Sequence, residues 1–127
     1  MKLLLDTHVV ISILDLVLDQ RFPQLAPVLR DRGNEIHVSV VSLWEIAIKV
    51  RLGKLDLQLA LDQIEPTLKR HEVWVLKMTS AHAVADSMPE PPTRDPFDRL
   101  LLAQAQLEGM RFVTIDRALA DHPVTFR

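Results

Sequence analysis

The chain has 127 residues, 48% of them hydrophobic and 25% charged, with no cysteine and only three glycines. That is the size of one domain able to bury its own core, and the composition excludes a disordered tail, thiol catalysis, zinc ribbons and disulfide staples. Fifteen Lys+Arg against 17 Asp+Glu give a net charge of −2, which as a whole-chain sum argues mildly against a nucleic-acid partner.

The first element is the apolar run Lys2 to Leu5, stopped by Asp6-Thr7; a run of four bounded in this way fits a strand buried on both faces. It breaks too early for a signal-peptide core, and no run approaches the ~18 apolar residues of a membrane span, so a cytoplasmic protein without a membrane partner is expected. Val9, Val10, Ile13, Leu14, Val17 and Leu18 then recur at helical spacing. Pro23, Leu25, Val28, Leu29 and Gly33 mark a second helix and its end. Ile36 to Val41 is β-rich. Ser42 is placed to open a helix over Leu43–Leu52 that Gly53 closes. Gln58 to His71 is helical in pattern, with Pro66 expected to kink or divide it. Val73–Leu76 predicts a third strand and Ala81 to Asp86 a short helix. The Pro-rich loop Met88–Pro92 leads to Asp95, an N-cap followed by Pro96 at the first helical position. That helix ends at Glu108-Gly109. Phe112–Ile115 predicts a fourth strand, stopped by Asp116, and Val124–Phe126 an optional fifth at the edge. Alternating strands and helices imply a three-layer α/β/α fold around a parallel sheet of four to five strands, as one domain over 1–127.

In an open parallel sheet the functional crevice lies at the carboxyl ends of the strands. Asp6 ends the first strand and Asp116 the fourth. Glu45 is expected in the first turn of the helix after the second strand, and Asp95 and Asp98 in the first turn of another. Each acid also has a purely structural explanation: Ser42 and Glu45 match a capping box, Asp95 a plain N-cap, Asp98 the positive end of a helix dipole, Asp6 and Asp116 turns. Those explanations do not account for five acids from distant segments sharing one rim. Converging carboxylates repel one another unless a cation is present, and an all-oxygen set suits Mg²⁺ or Mn²⁺ better than zinc.

Four blocks carry a family resemblance: Leu4-Leu5-Asp6-Thr7-His8, Ser42 to Lys49, Asp95 to Ala105, and Val113-Thr114-Ile115-Asp116. In this order they resemble PIN-domain proteins, and among these the VapC-type toxins of bacterial toxin–antitoxin modules. The resemblance spans essentially the whole chain. It implies a metal-dependent endoribonuclease that cleaves tRNA, rRNA or mRNA to leave a 5′-phosphate and a 3′-hydroxyl. It also implies neutralisation by a cognate antitoxin and assembly as a homodimer or a toxin–antitoxin hetero-oligomer. By position, the family's four acids fall on Asp6, Glu45, Asp98 and Asp116, with Mg²⁺ (or Mn²⁺) held most directly by Asp6 and Asp98. Asp95 caps the helix or serves as an outer ligand, and Thr7 orients the first aspartate or a water. Arg94 departs from the family pattern, since close relatives often have histidine there.

Lys49, Arg51, Lys54, Arg94, Arg99 and Arg117 flank the acids and are candidate phosphate contacts. Lys49 is also spaced for an ordinary i,i+4 ion pair with Glu45, which is the preferred reading, whereas Arg94 is assigned to RNA. His8 reads as packing or capping, and His71 and His82 as surface or interface residues. The helix face around Trp44 and the stripe Leu55, Leu57, Leu59, Leu61 look apolar enough to meet an antitoxin helix or a second subunit, with about half of the leucines in the core. Two other functions are open to the sequence. A catalytically silent PIN-like module would be expected to lack one of the four acids. A phosphoacceptor receiver domain would need a lysine ending a late strand, for which only Lys77 is near. Setting five rim acids aside leaves 12 acids against 15 bases, a balance that permits a modestly basic RNA-binding surface.

Overall fold

A computed structural model describes all residues, Met1–Arg127. Its sheet has four strands, β1 (Lys2–Leu5), β2 (Glu35–Ser39), β3 (Trp74–Leu76) and β4 (Arg111–Val113), all parallel in the order β3-β2-β1-β4. The helices are α1 (Thr7–Leu14), α2 (Leu18–Arg21), α3 (Ala26–Arg30), α4 (Val40–Arg51), α5 (Ile64–Arg70), α6 (Ser80–Val84) and α7 (Pro96–Glu108), with 3₁₀ turns at Leu61–Gln63 and Arg117–Leu119. None is long and apolar enough to cross a membrane.

The alternation of β1 explains the layers. Leu3 and Leu5 point to one face and pack with Val9, Ile13, Ile36, Val38, Ile46, Ile64 and Leu68. Leu4 points to the other, with Leu101, Leu102, Ala105, Phe112 and Leu119. Successive strand side chains face opposite ways, so a strand between two layers must be apolar throughout, and all three leucines are fully buried. The expected three-layer architecture is the observed one. The fifth strand is reduced to one parallel bridge between Phe112 and Thr125.

Several boundaries differ from the sequence expectation for identifiable reasons. The helical spacing through Leu18 is interrupted because Leu16 adopts a left-handed φ of 58°, so α1 stops at Leu14 and α2 starts afresh. Helix α4 begins at Val40, two β-branched residues inside the expected strand, because the Ser39 hydroxyl accepts the Val41 N–H at 3.0 Å. Ser39 is therefore the cap. Ser42 lies inside the helix, the Ser42–Glu45 capping box is not formed, and Glu45 sits in the second turn rather than the first. Pro66 neither kinks nor divides a long helix. It occupies the first turn of α5, where no intrahelical donor is lost. Leu55, Leu57, Leu59 and Leu61 are all half-buried against the larger core, so they edge the core instead of forming an open stripe. Trp44 stays exposed, its ring meeting Phe97 edge-on at 5.8 Å.

His82 is the clearest correction. It is 2% exposed, not a surface residue. Its Nδ1 accepts the Thr79 N–H at 3.0 Å and faces the Gln104 amide at 3.2 Å, while Nε2 pairs with Glu108 at 3.2 Å. Gln104 Oε1 in turn accepts from the Ser39 hydroxyl at 2.6 Å. This buried chain ties the end of β2 to α6 and α7. His71 is exposed, as expected.

Candidate active site

Asp6 leaves β1 at its carboxyl end and caps α1. It is 3% exposed, and both of its oxygens are held: Oδ1 accepts the Thr7 N–H and Oδ2 the Thr114 hydroxyl, each at 2.7 Å. Burial raises its pKa above the ordinary carboxylate value, Thr114 and Thr7 pull it back, and the charge of Glu45 adds to the rise. Glu45, on the inner face of α4, is fixed just as firmly. Oε1 accepts the Thr7 hydroxyl at 2.7 Å, and Oε2 pairs with the Lys49 ammonium at 2.7 Å. The Thr7 hydroxyl also shares a 3.0 Å hydrogen bond with Ser42. Thr7 thus positions two acids, one through its backbone and one through its side chain.

Asp98 is half-buried in the first turn of α7, and its pKa is pushed up to about 7. Loss of solvent is the largest cause, followed by the charges of Asp6, Asp95, Glu45 and Asp116. Asp95 caps α7 by accepting the Phe97 N–H at 2.9 Å. Asp116 caps the following 3₁₀ turn by accepting the Ala118 N–H at 2.9 Å. All five acids line one cleft of about 280 Å³ together with His8, Lys49 and Ile115. The electrostatics and the geometry agree that segments far apart in sequence meet at one rim.

Thr114 is a site residue that the sequence does not single out. Its hydroxyl donates to Asp6 and accepts the Asp116 N–H at 3.0 Å, so it fixes the loop carrying one acid against the other. A signal is nonetheless present: a threonine two residues before a strand-end aspartate is spaced to receive that residue's amide.

The basic residues divide. Lys49 forms the i,i+4 pair, and its pKa is raised by that hydrogen bond first and by the charges of Glu45, Asp95 and Asp98 after it. Arg99 is not brought to the cleft; it pairs with Glu90 and donates to the Thr93 carbonyl at 2.9 Å, bracing the Pro-rich loop. Arg94 and Arg117 are exposed beside cleft acids, and Arg51 and Lys54 at the end of α4. His8 is exposed and lines the cleft, so it neither packs nor caps. Lys77 follows the edge strand β3 and is absent from the cleft, which leaves a receiver-type site without its lysine.

No three acidic or histidine side chains stand close enough to make a ready-formed cage for an ion. The donor set nevertheless fits one. It is all oxygen, five carboxylates face a single ammonium, and Asp98 holds its proton to about pH 7 under that crowding. Uncompensated negative charge on hard oxygen ligands suits a divalent cation such as Mg²⁺ or Mn²⁺.

Comparison with known proteins places this arrangement. A model of the PIN domain matches residues 3–124. Ribonuclease VapC22 of Mycobacterium tuberculosis (strain ATCC 25618 / H37Rv) is 31% identical over 110 residues, covering 84% of this chain and 85% of that protein. Among solved structures, the chain is similar to VapBC2 from Rickettsia felis bound to a DNA fragment from their promoter, with a TM-score of 0.64 at 15% identity, over 99% of this chain and 96% of that one. It is equally similar to a toxin–antitoxin complex from Klebsiella pneumoniae, with a TM-score of 0.64 at 19% identity, over 98% and 95% of the two chains. The structural likenesses speak for the fold, and the family match together with the 31% identity speaks for descent: this chain belongs to the PIN-domain family, among its VapC members.

Proposed function

We propose that the protein is a divalent-metal-dependent endoribonuclease toxin, acting in the cytoplasm and neutralised by a cognate antitoxin. The observation that carries this reading is the convergence of Asp6, Glu45, Asp98 and Asp116 in one cleft at the carboxyl end of a parallel sheet. The relative's description as a ribonuclease and the toxin–antitoxin assemblies among the structural neighbours support it. An antitoxin and a second toxin subunit are the protein partners it implies, and Trp44 supplies exposed apolar area for one of them.

In this reading Asp6 and Asp98 hold Mg²⁺ (or Mn²⁺) most directly, and Asp116 and Glu45 complete its surroundings. The bound ion would polarise the attacking water and offset charge growing on the phosphate oxygens. The chain's own residues prepare the site. Thr7 and Thr114 fix Asp6 from both sides, so its carboxylate is held in one orientation. Lys49 holds Glu45 and moderates the negative potential that would otherwise repel RNA. Arg94 and Arg117 give the substrate backbone cations outside the acid centre.

The test is incubation with bulk tRNA and rRNA in Mg²⁺ and then in EDTA, followed by mapping of the cut ends. Metal-dependent cuts with 5′-phosphates are expected, and a folded Asp98→Asn protein should lose at least about 100-fold in rate. Wild-type rate in that variant would refute the assignment of Asp98.

A further inference from the structure

Eight residues line the acid cleft, and six of them are charged: five carboxylates and Lys49. Only His8 and Ile115 offer a surface that is not a carboxylate or an ammonium. Each lies a short way beyond the end of one of two paired strands, β1 and β4. Strand β1 pairs with β4 through Leu5 and Val113, and the Asp6 N–H continues the ladder to the Val113 carbonyl at 2.8 Å. One step further, the Thr114 hydroxyl binds Asp6. His8 lies three residues past the end of β1 and Ile115 two past the end of β4, and both line the same cleft.

Neither side chain packs into the core. Ile115 is 44% exposed although it borders the five carboxylates of the cleft. His8 is exposed, on the first turn of α1. Its neighbour Thr7 spends both its amide and its hydroxyl on the acids. The surface they give the cleft is apolar at Ile115, which has no group for an ion or a phosphate, and planar at His8. It is well suited to the face of a heterocycle, because nucleobases gain from stacking on planar rings and apolar surface.

We propose that His8 and Ile115 form the nucleobase contact of the cleft, holding one unpaired base next to the scissile phosphate. This rests on the ribonuclease reading. The six charged residues face the sugar–phosphate backbone and its cation, and the base lies against His8 and Ile115. Such a contact requires a base free of its pairing partner.

The test compares His8→Ala, His8→Phe, Ile115→Ser and wild type on a short unpaired RNA and on the same RNA with one abasic position at the cut site. Mn²⁺ affinity is measured alongside by calorimetry. His8→Ala and Ile115→Ser should each raise KM about ten-fold or more while kcat changes little. His8→Phe should restore KM, because the ring face and not the ring nitrogen makes the contact. The abasic substrate should bind poorly to wild type and lose nothing further in His8→Ala. Mn²⁺ affinity should be unchanged throughout. An unchanged KM in His8→Ala, a loss confined to kcat, or a weakened Mn²⁺ affinity would each overturn the proposal. So would a variant that cuts RNA normally but no longer binds the antitoxin, which would make His8 and Ile115 a protein contact. Cleavage by wild type without any effect of His8 or Ile115 refutes this inference alone, whereas a wild-type protein that cuts no RNA in Mg²⁺ refutes the function on which it rests.

Discussion

Replacing Thr114 by valine removes one hydroxyl at nearly constant shape, and the structure gives the consequence a size and a pH dependence. The hydroxyl donates at 2.7 Å to Oδ2 of Asp6, a carboxylate that is only 3% exposed. A hydrogen bond to a buried charged group contributes about 1.5–3 kcal/mol. The Asp116 N–H loses its acceptor too, but that residue is exposed and water replaces the bond. The net loss should be about 2 kcal/mol at pH 8 in EDTA, or roughly 6–8 °C in melting temperature for a domain of this size. Burial already holds the Asp6 pKa high, and Thr114 opposes it. Without the hydroxyl the folded-state pKa rises further, so the folded protein keeps its proton where the unfolded chain has lost it. The deficit is therefore absent below the unfolded pKa of about 3.9 and grows as the pH rises through the folded value. Urea unfolding of wild type, Thr114→Val and Thr114→Ser at pH 5 and pH 8 measures it. Serine should retain most of the stability. A valine deficit of the same size at both pH values would mean that packing, not charge, was lost, and the reasoning would be wrong.

Two further outcomes are expected. Asp98 has a folded pKa of about 7, raised above its ordinary value by burial and its acidic neighbours. Its contribution is thus most favourable below the unfolded pKa and is lost as the pH rises toward 8. A rise of that size corresponds to about 4 kcal/mol for a fully buried group, which solvent screening at a half-buried one reduces to about 1–2 kcal/mol. Melting curves in EDTA should show the decline, and Mg²⁺ should flatten it; a flat profile in EDTA would contradict the crowding of the acids. At the other end of α7, Gly109 has φ +67°, and a Cβ added there would meet nothing within 4 Å. Gly109→Ala should therefore cost only the backbone penalty of about 1 kcal/mol by urea unfolding, and asparagine less.

Much of this site is legible in the sequence because its acids stand where chain direction changes. Asp6 and Asp116 stop apolar runs, and Asp95-Pro96 announces a helix start, so their common rim follows from parallel topology without knowledge of any side-chain contact. Angular placement is less accessible. Arg99 follows Asp98 directly, but one step along a helix turns a side chain by about 100°, and the turn sends Arg99 to Glu90 and Thr93 instead of the cleft. Ser39 and Ser42 are both chemically suited to cap α4, and choosing between them requires knowing where β2 ceases to pair. His82 resembles a surface residue in sequence because its partners Gln104 and Glu108 lie more than twenty positions downstream. Thr114 carries little signal because a lone threonine near a strand end is common, and its importance depends on Asp6 arriving beside it.

The bond between Asp6 and Thr114 joins residues 108 positions apart. Closing so long a loop is an entropic cost met only when β1 has found β4. The first half of the chain carries Asp6 and Glu45 but neither Asp98 nor Asp116, so a growing or half-folded chain has two isolated carboxylates and no cleft. The cleft is complete only once Asp116, the last of its acids along the chain, is in place. A ribonuclease whose acids are divided in this way between the two halves of its chain has no assembled centre until both halves exist.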